Sequence, residues 1–211
     1  MAAVGSVEQS TLVPGALVRG PVESRQFGAA MESDIGAPES ALGAGFDAGF
    51  ASGDPAPGFG VADRAGAAAP KPGDLDGPQA APPRDNRIDN FRFSPDYHID
   101  RILFREIIGT VTDAVYVRPH ARWRFLDVGP ASFSADAALT ASWAVEAASA
   151  PGQVHPLGVE LDPSLVYDSG DGFNVALEYA VLFPMAGLDN PAQNLSARPA
   201  QLARLRAMFI F

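Results

Sequence analysis

From residue 113 to the end of the chain, apolar and polar residues alternate, and this period of two constrains the fold more than any other feature. In the stretch 131–147, odd positions carry only apolar residues, while even positions carry Ser, Asp, Thr and Glu besides two alanines. Successive side chains of a β-strand point to opposite faces, so the pattern predicts a strand with one apolar and one polar face. Comparable alternation occurs in 115–126, 157–167, 173–183 and 203–211. The pattern therefore predicts five consecutive strands.

Before residue 113 the alternation is weaker. The stretches 25–35 and 41–50 predict two more strands, joined by a short turn. Residues 52–85 contain seven prolines and six glycines without periodicity, which predicts a disordered loop reaching to residue 93.

The stretch 94–109 shows a different spacing. Ser94 can cap a helix, Pro95 suits its first position, and a Gly follows at 109. The apolar residues at helical spacing are Ile99, Ile102, Leu103 and Ile107. We expect a helix over 94–109, carried on a long loop or folded into it, although a strand remains an alternative.

Connection lengths and aromatic positions suggest an environment for these strands. Tight turns at 126–130 and 168–172 alternate with longer connections at 149–156 and 184–201, as in bacterial outer-membrane barrels. Aromatic residues of the apolar face cluster toward the two strand ends, with Ala, Leu and Val between them, which is typical of a lipid-facing surface. The aromatic residues are Trp123, Phe125, Phe133, Tyr167, Phe173, Phe209 and Phe211 at the short-turn end, and Trp143, Tyr179 and Phe183 toward the long-loop end. A soluble β-sandwich also alternates and remains the alternative.

The composition excludes several classes of function. A formal net charge of −10 argues against a nucleic-acid partner, and the absence of cysteine excludes disulfides and thiol chemistry. No apolar run is long enough for a transmembrane helix, and the start, MAAVGSVEQS, has no signal-peptide pattern. The three histidines lack metal-ligand spacing, and no Ser/His/Asp group can be assigned. We therefore expect no enzyme activity, metal or cofactor.

The last residues, ARLRAMFIF, resemble the terminal recognition signal of Gram-negative outer-membrane proteins. The resemblance implies that the barrel-assembly machinery reads this strand, with Leu205, Ala207, Phe209 and Phe211 as its apolar face. The stretch NFRFSPDYHIDRILFREIIGTVTDAVYVRPH at 90–120 is similar to a poorly characterised family of myxobacterial-type outer-membrane proteins. Both resemblances imply a bacterial outer-membrane location and a lipid bilayer as partner, and neither implies a substrate.

Together these patterns predict an all-β, antiparallel, up-and-down transmembrane β-barrel with about seven visible strands and one helix in a long extracellular loop. The expected organisation is first barrel strands (1–51), disordered loop (52–93), loop helix (94–109) and C-terminal strands (110–211). Bacterial barrels have an even number of strands, at least eight. We therefore expect the chain to be the C-terminal part of a larger barrel, with a poorly patterned eighth strand in 9–19 as the alternative.

Charged residues of the polar face are the candidates for function. Opposed arginines and carboxylates in a pore would select small polar or charged solutes, as in a porin-like channel. The alternatives are a salt-bridge lattice that fills a narrow interior, and a closed barrel that displays the loop 52–93 for adhesion. The pore-lining candidates are Arg118, His120, Arg122, Arg124, Asp136, Glu146, Glu160, Asp162, Glu178, Arg204 and Arg206.

Overall fold

The chain folds into one antiparallel β-sheet. The computed structural model describes residues 1–7, 22–37, 40–56, 59 and 87–209. Its strands are β1 (Ala2–Val7), β2 (Val22–Ile35), β3 (Leu42–Ala51), β4 (Arg87–Ile88), β5 (Ala114–Val128), β6 (Ala131–Ala144), β7 (Pro156–Asp168), β8 (Phe173–Pro184) and β9 (Ala200–Phe209). Their order in the sheet is β1-β2-β3-β5-β6-β7-β8-β9, and the short β4 pairs in parallel with β2.

The predicted all-β, up-and-down arrangement is confirmed. All seven predicted strands are present, and β1 and β4 were not predicted. The sheet is not closed, because within the described part of the chain β9 pairs only with β8 and β1 only with β2, and the expected barrel, of which this chain would be one part, stays a prediction. The possible eighth strand in 9–19 lies outside the described residues.

The two faces of the sheet differ in chemistry. One face, called the apolar face below, exposes large hydrophobic side chains: Leu165, Leu177 and Leu205 are 53%, 53% and 71% exposed. They continue a cross-strand row that begins with Leu42 and Trp123. The opposite face, the polar face, buries charged side chains, which are Asp47, Glu160, Asp162 and Glu178. Soluble proteins bury apolar groups and expose charged ones, so this sheet has the reverse distribution.

Residues 89–113, called the inner loop below, fold back over the polar face near the long connections. The hydrophobic core lies between this loop and the sheet. Its largest members are Phe59, Phe91, Phe93, Ile99, Ile102, Leu103, Phe104, Val111, Tyr116, Leu157 and Leu182. The segment 52–93 was predicted to be disordered, but Phe59, Phe91 and Phe93 of this segment lie in the core. Residues 57, 58 and 60–86 lie outside the described part of the chain.

The helix predicted over 94–109 is largely wrong. Only Leu103–Ile107 is helical, as a single π-type turn. Ser94 caps no helix, because its hydroxyl accepts the Asp96 amide at 3.3 Å and its carbonyl accepts the Tyr97 N–H, which closes a single turn. Of the apolar residues at helical spacing, Ile99 and Ile102 pack into the core from non-helical backbone and Leu103 from the first residue of the turn, whereas Ile107 is 36% exposed.

The lengths of the connections match the sequence prediction. Residues 129–130 join β5 to β6 and residues 169–172 join β7 to β8, at one end of the sheet. At the other end lie the longer connections 52–113, 145–155 and 185–199. None of the helices in the described part of the chain has the length and hydropathy needed to cross a membrane.

Candidate functional site

Glu160 on β7 holds the inner loop against the polar face. Its carboxylate accepts the backbone amides of Arg101 at 2.8 Å, Ile102 at 2.7 Å and Leu103 at 3.0 Å, and the residue is 1% exposed. These amides precede and begin the π-helical turn, where backbone N–H groups have no helical partner. A buried carboxylate needs such donors, because an ion without hydrogen bonds is costly in an apolar interior. Glu160 therefore fixes the loop to the sheet.

Two neighbouring residues of the loop complete this attachment. Asp100 accepts the amides of Phe104 and Arg105 at 3.0–3.2 Å; burial, and then the neighbouring Glu160, raises the pKa of its carboxyl. Arg101 donates to the carbonyls of Pro163 at 2.8 Å and Tyr179 at 2.9 Å. These carbonyls belong to β7 and β8, so the loop spans two strands.

Glu178 on β8 is surrounded by three arginines. Its carboxylate lies 2.6 Å from Arg204 Nε, 3.6 Å from Arg206 and 3.9 Å from Arg101. Arg204 stands directly opposite Glu178 in the β8–β9 register, and Arg206 lies two residues further along β9 on the same face. One negative charge thus faces three positive ones, one of them supplied by the inner loop.

A second ion cluster lies on β2, β3 and β5. Arg118 contacts Asp47 at 2.5 Å, and His120 lies 3.0 Å from Asp34 and 3.4 Å from Asp47. The absence of a side chain at Gly45 makes room for the imidazole, because a Cβ there would collide with His120. The His120 ring therefore lies over Gly45, its cross-strand partner.

Between the inner loop and the polar face lies a pocket of about 480 Å³. Six arginines and four carboxylates line it, together with His98 and His120. Two of its buried polar atoms, Nε of Arg118 and Oδ1 of Asp162, have no hydrogen-bond partner. This polar pocket is called the arginine pocket below.

The structure brings most of the predicted pore-lining residues into this pocket. They are Arg118, His120, Arg122, Asp136, Asp162, Glu178, Arg204 and Arg206. Three others lie elsewhere. Glu160 is covered by the loop, Arg124 lies 3.5 Å from Asp127 toward the short turns, and Glu146 lies beyond the end of β6.

Glu146 belongs to a different site, around Asp113 at the long-loop end. The Asp113 carboxylate accepts the Glu146 amide at 2.7 Å and the Ser149 hydroxyl. Burial raises the pKa of Asp113 to about 8, against the lowering effect of the Glu146 amide and with the help of the carboxylates of Glu146 and Asp54.

The sequence did not reveal the inner-loop residues of the pocket. His98, Asp100, Arg101 and Arg105 were placed on a predicted helix, with no indication of which way they pointed. A usable signal was their density of charge within an otherwise apolar stretch, since charged groups in such a stretch need partners elsewhere in the fold.

The residues of the predicted assembly signal lie on β9, where Leu205, Ala207 and Phe209 are exposed on the apolar face, and Phe211 lies outside the described residues. The aromatic residues near the short turns form a continuous cluster. Ring centroids are 5.6 Å apart for Trp123 and Phe125, 6.5 Å for Phe125 and Phe133, and 4.9 Å for Phe133 and Tyr167.

Within the described residues, no group of three or more His, Asp or Glu side chains is arranged to hold a metal ion. No protein-family model matches the sequence, and searches of curated proteins and of solved structures found no significant match. The function is therefore inferred from the geometry of the pocket and of the two faces.

Proposed function

We propose that this chain forms part of the wall of a bacterial outer-membrane β-barrel and conducts small polar or charged solutes along its polar face. The apolar face meets lipid, and the barrel-assembly machinery inserts the chain by reading β9. The inner loop narrows the path on the side of the long connections, and the arginine pocket is the part of the path that stays open beneath it.

The observation that carries this proposal is the reversed burial. Leu139 is 42% exposed in the middle of β6, while its neighbour Thr140 on the other face is 2% exposed. In water such an exposed apolar surface would favour aggregation, whereas in a membrane an apolar surface is needed because the lipid chains around it are apolar. The soluble-sandwich alternative lacks a second sheet to cover this face, since the described strands form one sheet.

The spacing of the aromatic residues supports the same environment. Phe133 and Trp143 lie on the apolar face near opposite ends of β6, ten residues apart. At about 3.3 Å per residue and a tilt of about 40°, this separation corresponds to roughly 25 Å across a bilayer. That height is close to the height of the apolar band of outer-membrane barrels. Between Phe133 and Trp143 the odd positions carry Ala or Leu, and the even positions carry Ser, Asp, Ala or Thr.

The test compares two Leu-to-Arg substitutions. Leu139→Arg places a charge in the proposed lipid band and costs about 2–4 kcal/mol at the bilayer midplane, whereas Leu195→Arg places one in the 185–199 connection, where the leucine is 58% exposed. We expect Leu139→Arg to lower the folded, heat-modifiable fraction in outer membranes, and Leu195→Arg to leave it unchanged. Equal tolerance of both variants would refute the lipid-facing assignment, because both leucines are exposed.

A second candidate is supported by the inner loop, which occupies the polar face beside β7 and β8. If the loop and the ion clusters fill the interior, the chain serves as a closed scaffold that displays its long connections. Conductance in planar bilayers separates the two candidates: a channel shows ion-selective steps, and a closed scaffold shows none.

A further inference from the structure

The arginine pocket has the chemistry of a binding site for a specific class of solute. We propose that it binds a small carboxylate or phosphate anion that also carries a hydroxyl or amino group. This assignment rests on the proposed function insofar as the pocket lies on the solute path, but binding itself does not require conduction.

The first reason is the excess of positive charge around Glu178. Arg101, Arg204 and Arg206 all lie within 4 Å of this carboxylate, which can neutralise only one of them. Arg101 also acts on the carboxylates of Asp136 and Asp162, so the arginine left over for an anion is Arg206. Guanidinium groups bind carboxylate and phosphate oxygens in a forked geometry through several N–H groups. Arg206 is the most exposed of the three, with 56% of its side chain accessible, and is therefore open to a ligand.

The second reason is the pair of buried polar atoms without partners. Nε of Arg118 is a donor and Oδ1 of Asp162 is an acceptor, and both residues line the pocket. A buried polar atom without a hydrogen bond costs about 1–3 kcal/mol, so a ligand that pairs with it gains affinity. An anion supplies the acceptor for Arg118, and a hydroxyl or amino group supplies the donor for Asp162.

The third reason is that the other acids are already committed. The Asp100 carboxylate accepts amides of its own loop, and Asp136 lies 3.5 Å from the Ser164 hydroxyl and interacts with Arg122. Asp47 pairs with Arg118 through Nη1, which leaves the Nε of that arginine free. The volume of about 480 Å³ lies in the lower part of the range for small-molecule sites. A compact solute with a few oxygens fits this space, and a large oligosaccharide does not.

The experiment measures binding by calorimetry with the refolded full chain in detergent. The probes are malate, succinate and inorganic phosphate; malate differs from succinate by one hydroxyl. We expect malate to bind at least about threefold more tightly than succinate, the factor of one added hydrogen bond. Saturable binding of phosphate shows that phosphate anions are accepted, and binding of malate shows that carboxylates are.

Four variants locate the site. Arg204→Gln and Arg206→Gln are expected to weaken malate binding by about tenfold, as the loss of one charged hydrogen bond predicts. Asp162→Ala removes the acceptor and should abolish the preference for malate over succinate while keeping the binding of both. Arg198→Gln, at an exposed position on the 185–199 connection, is the charge-matched control and should change nothing. If Arg204→Gln fails to fold, Arg206→Gln carries the test, because Arg206 lies further from Glu178.

The proposal is overturned if none of the three probes gives saturable heat, if malate and succinate bind equally, or if binding survives both arginine substitutions. Conductance is recorded on the same preparations. Binding without conductance refutes the channel and leaves the site intact, whereas conductance without binding refutes only the site.

Discussion

Replacing Glu160 by glutamine should release the inner loop from the sheet without disturbing the strands. The Glu160 carboxylate takes the amides of Arg101 and Ile102 on Oε1 and the amide of Leu103 on Oε2. A glutamine keeps one acceptor oxygen for the first two amides, but its NH₂ group then faces the Leu103 N–H. One buried amide loses its acceptor, and two others bond to a neutral oxygen.

The magnitude follows from these three contacts. A buried donor left without a partner costs about 1–3 kcal/mol, and hydrogen bonds to a charged group are worth about 1.5–3 kcal/mol each, against roughly 1 kcal/mol for neutral ones. Relief of the cost of burying the charge offsets part of this loss. A net loss of about 2 kcal/mol in the attachment of the loop is therefore expected, which corresponds to roughly a thirtyfold increase in the population of the detached loop.

Hydrogen exchange of backbone amides measures this population directly. Protection of the amides of residues 101–108 should fall by about that factor, while the amides of β6 and β7 keep theirs. Glu106→Gln is the matched control, since Glu106 lies on the same turn with 53% of its side chain exposed and its carboxylate 3.7 Å from Arg105. Unchanged protection in Glu160→Gln, or an equal loss of protection in Glu106→Gln, would refute the role of the Glu160 carboxylate in holding the inner loop on the sheet.

Two further predictions concern residues around the loop. The raised pKa of Asp113 means that the folded state holds its proton more tightly than the unfolded state does, whose pKa is about 4. This contribution to stability is present below pH 4 and is lost as the pH rises toward 8, so the free energy of unfolding should fall between pH 5 and pH 8. In Asp113→Asn this dependence on pH should be absent. Denaturant titrations that show the same pH dependence in the variant as in the parent protein would contradict the assignment. Gly49→Ala places a Cβ against the Tyr116 ring, which itself contacts Tyr97 of the loop at 2.6 Å between hydroxyl oxygens. We expect a loss of about 1–3 kcal/mol in the free energy of unfolding, as for overpacked cores. Recovery in the double variant with Tyr116→Ala would support the steric cause, and a double variant as unstable as the sum of the two single ones would contradict it.

The strands could be predicted because alternation is a local property. In β6 the polarity of a residue indicates the face of the sheet on which its side chain lies, and this relation holds along the strand. The strand β1 gave no such signal, since AAVGSV is short and its side chains from Ala2 to Ser6 are all exposed. Its place beside β2 depends on pairing with residues twenty positions later, which no local pattern encodes.

The inner loop could not be predicted for a related reason. Ile99, Ile102 and Leu103 have helical spacing, but their positions are fixed by contacts with strands that follow more than fifty residues later in the chain. Glu160 takes the amides of 101–103, and Asp100 takes those of 104 and 105, so these groups bond to carboxylates and not to the carbonyls of a longer helix. Helical propensity is a weak preference that such tertiary contacts override. The same contacts moved Glu160 from the expected pore lining into a structural role.

The two edges of the sheet determine how many strands the proposed barrel would need. Between Ala200 and Met208, the backbone N–H and C=O groups of β9 that point away from β8 pair with no other described strand, and in lipid an unpaired group costs several kcal/mol. The path from β1 to β9 holds eight strands, an even number, so β1 runs antiparallel to β9 and has the right direction to pair with it. However, β1 covers only Val22–Phe27 of β2, whereas β9 spans ten residues. Closure through β1 alone gives an eight-stranded barrel whose interior side chains fill, which favours the scaffold. Closure through further strands, of this chain or of a second copy, widens the lumen around the arginine pocket, and only that arrangement supports the channel.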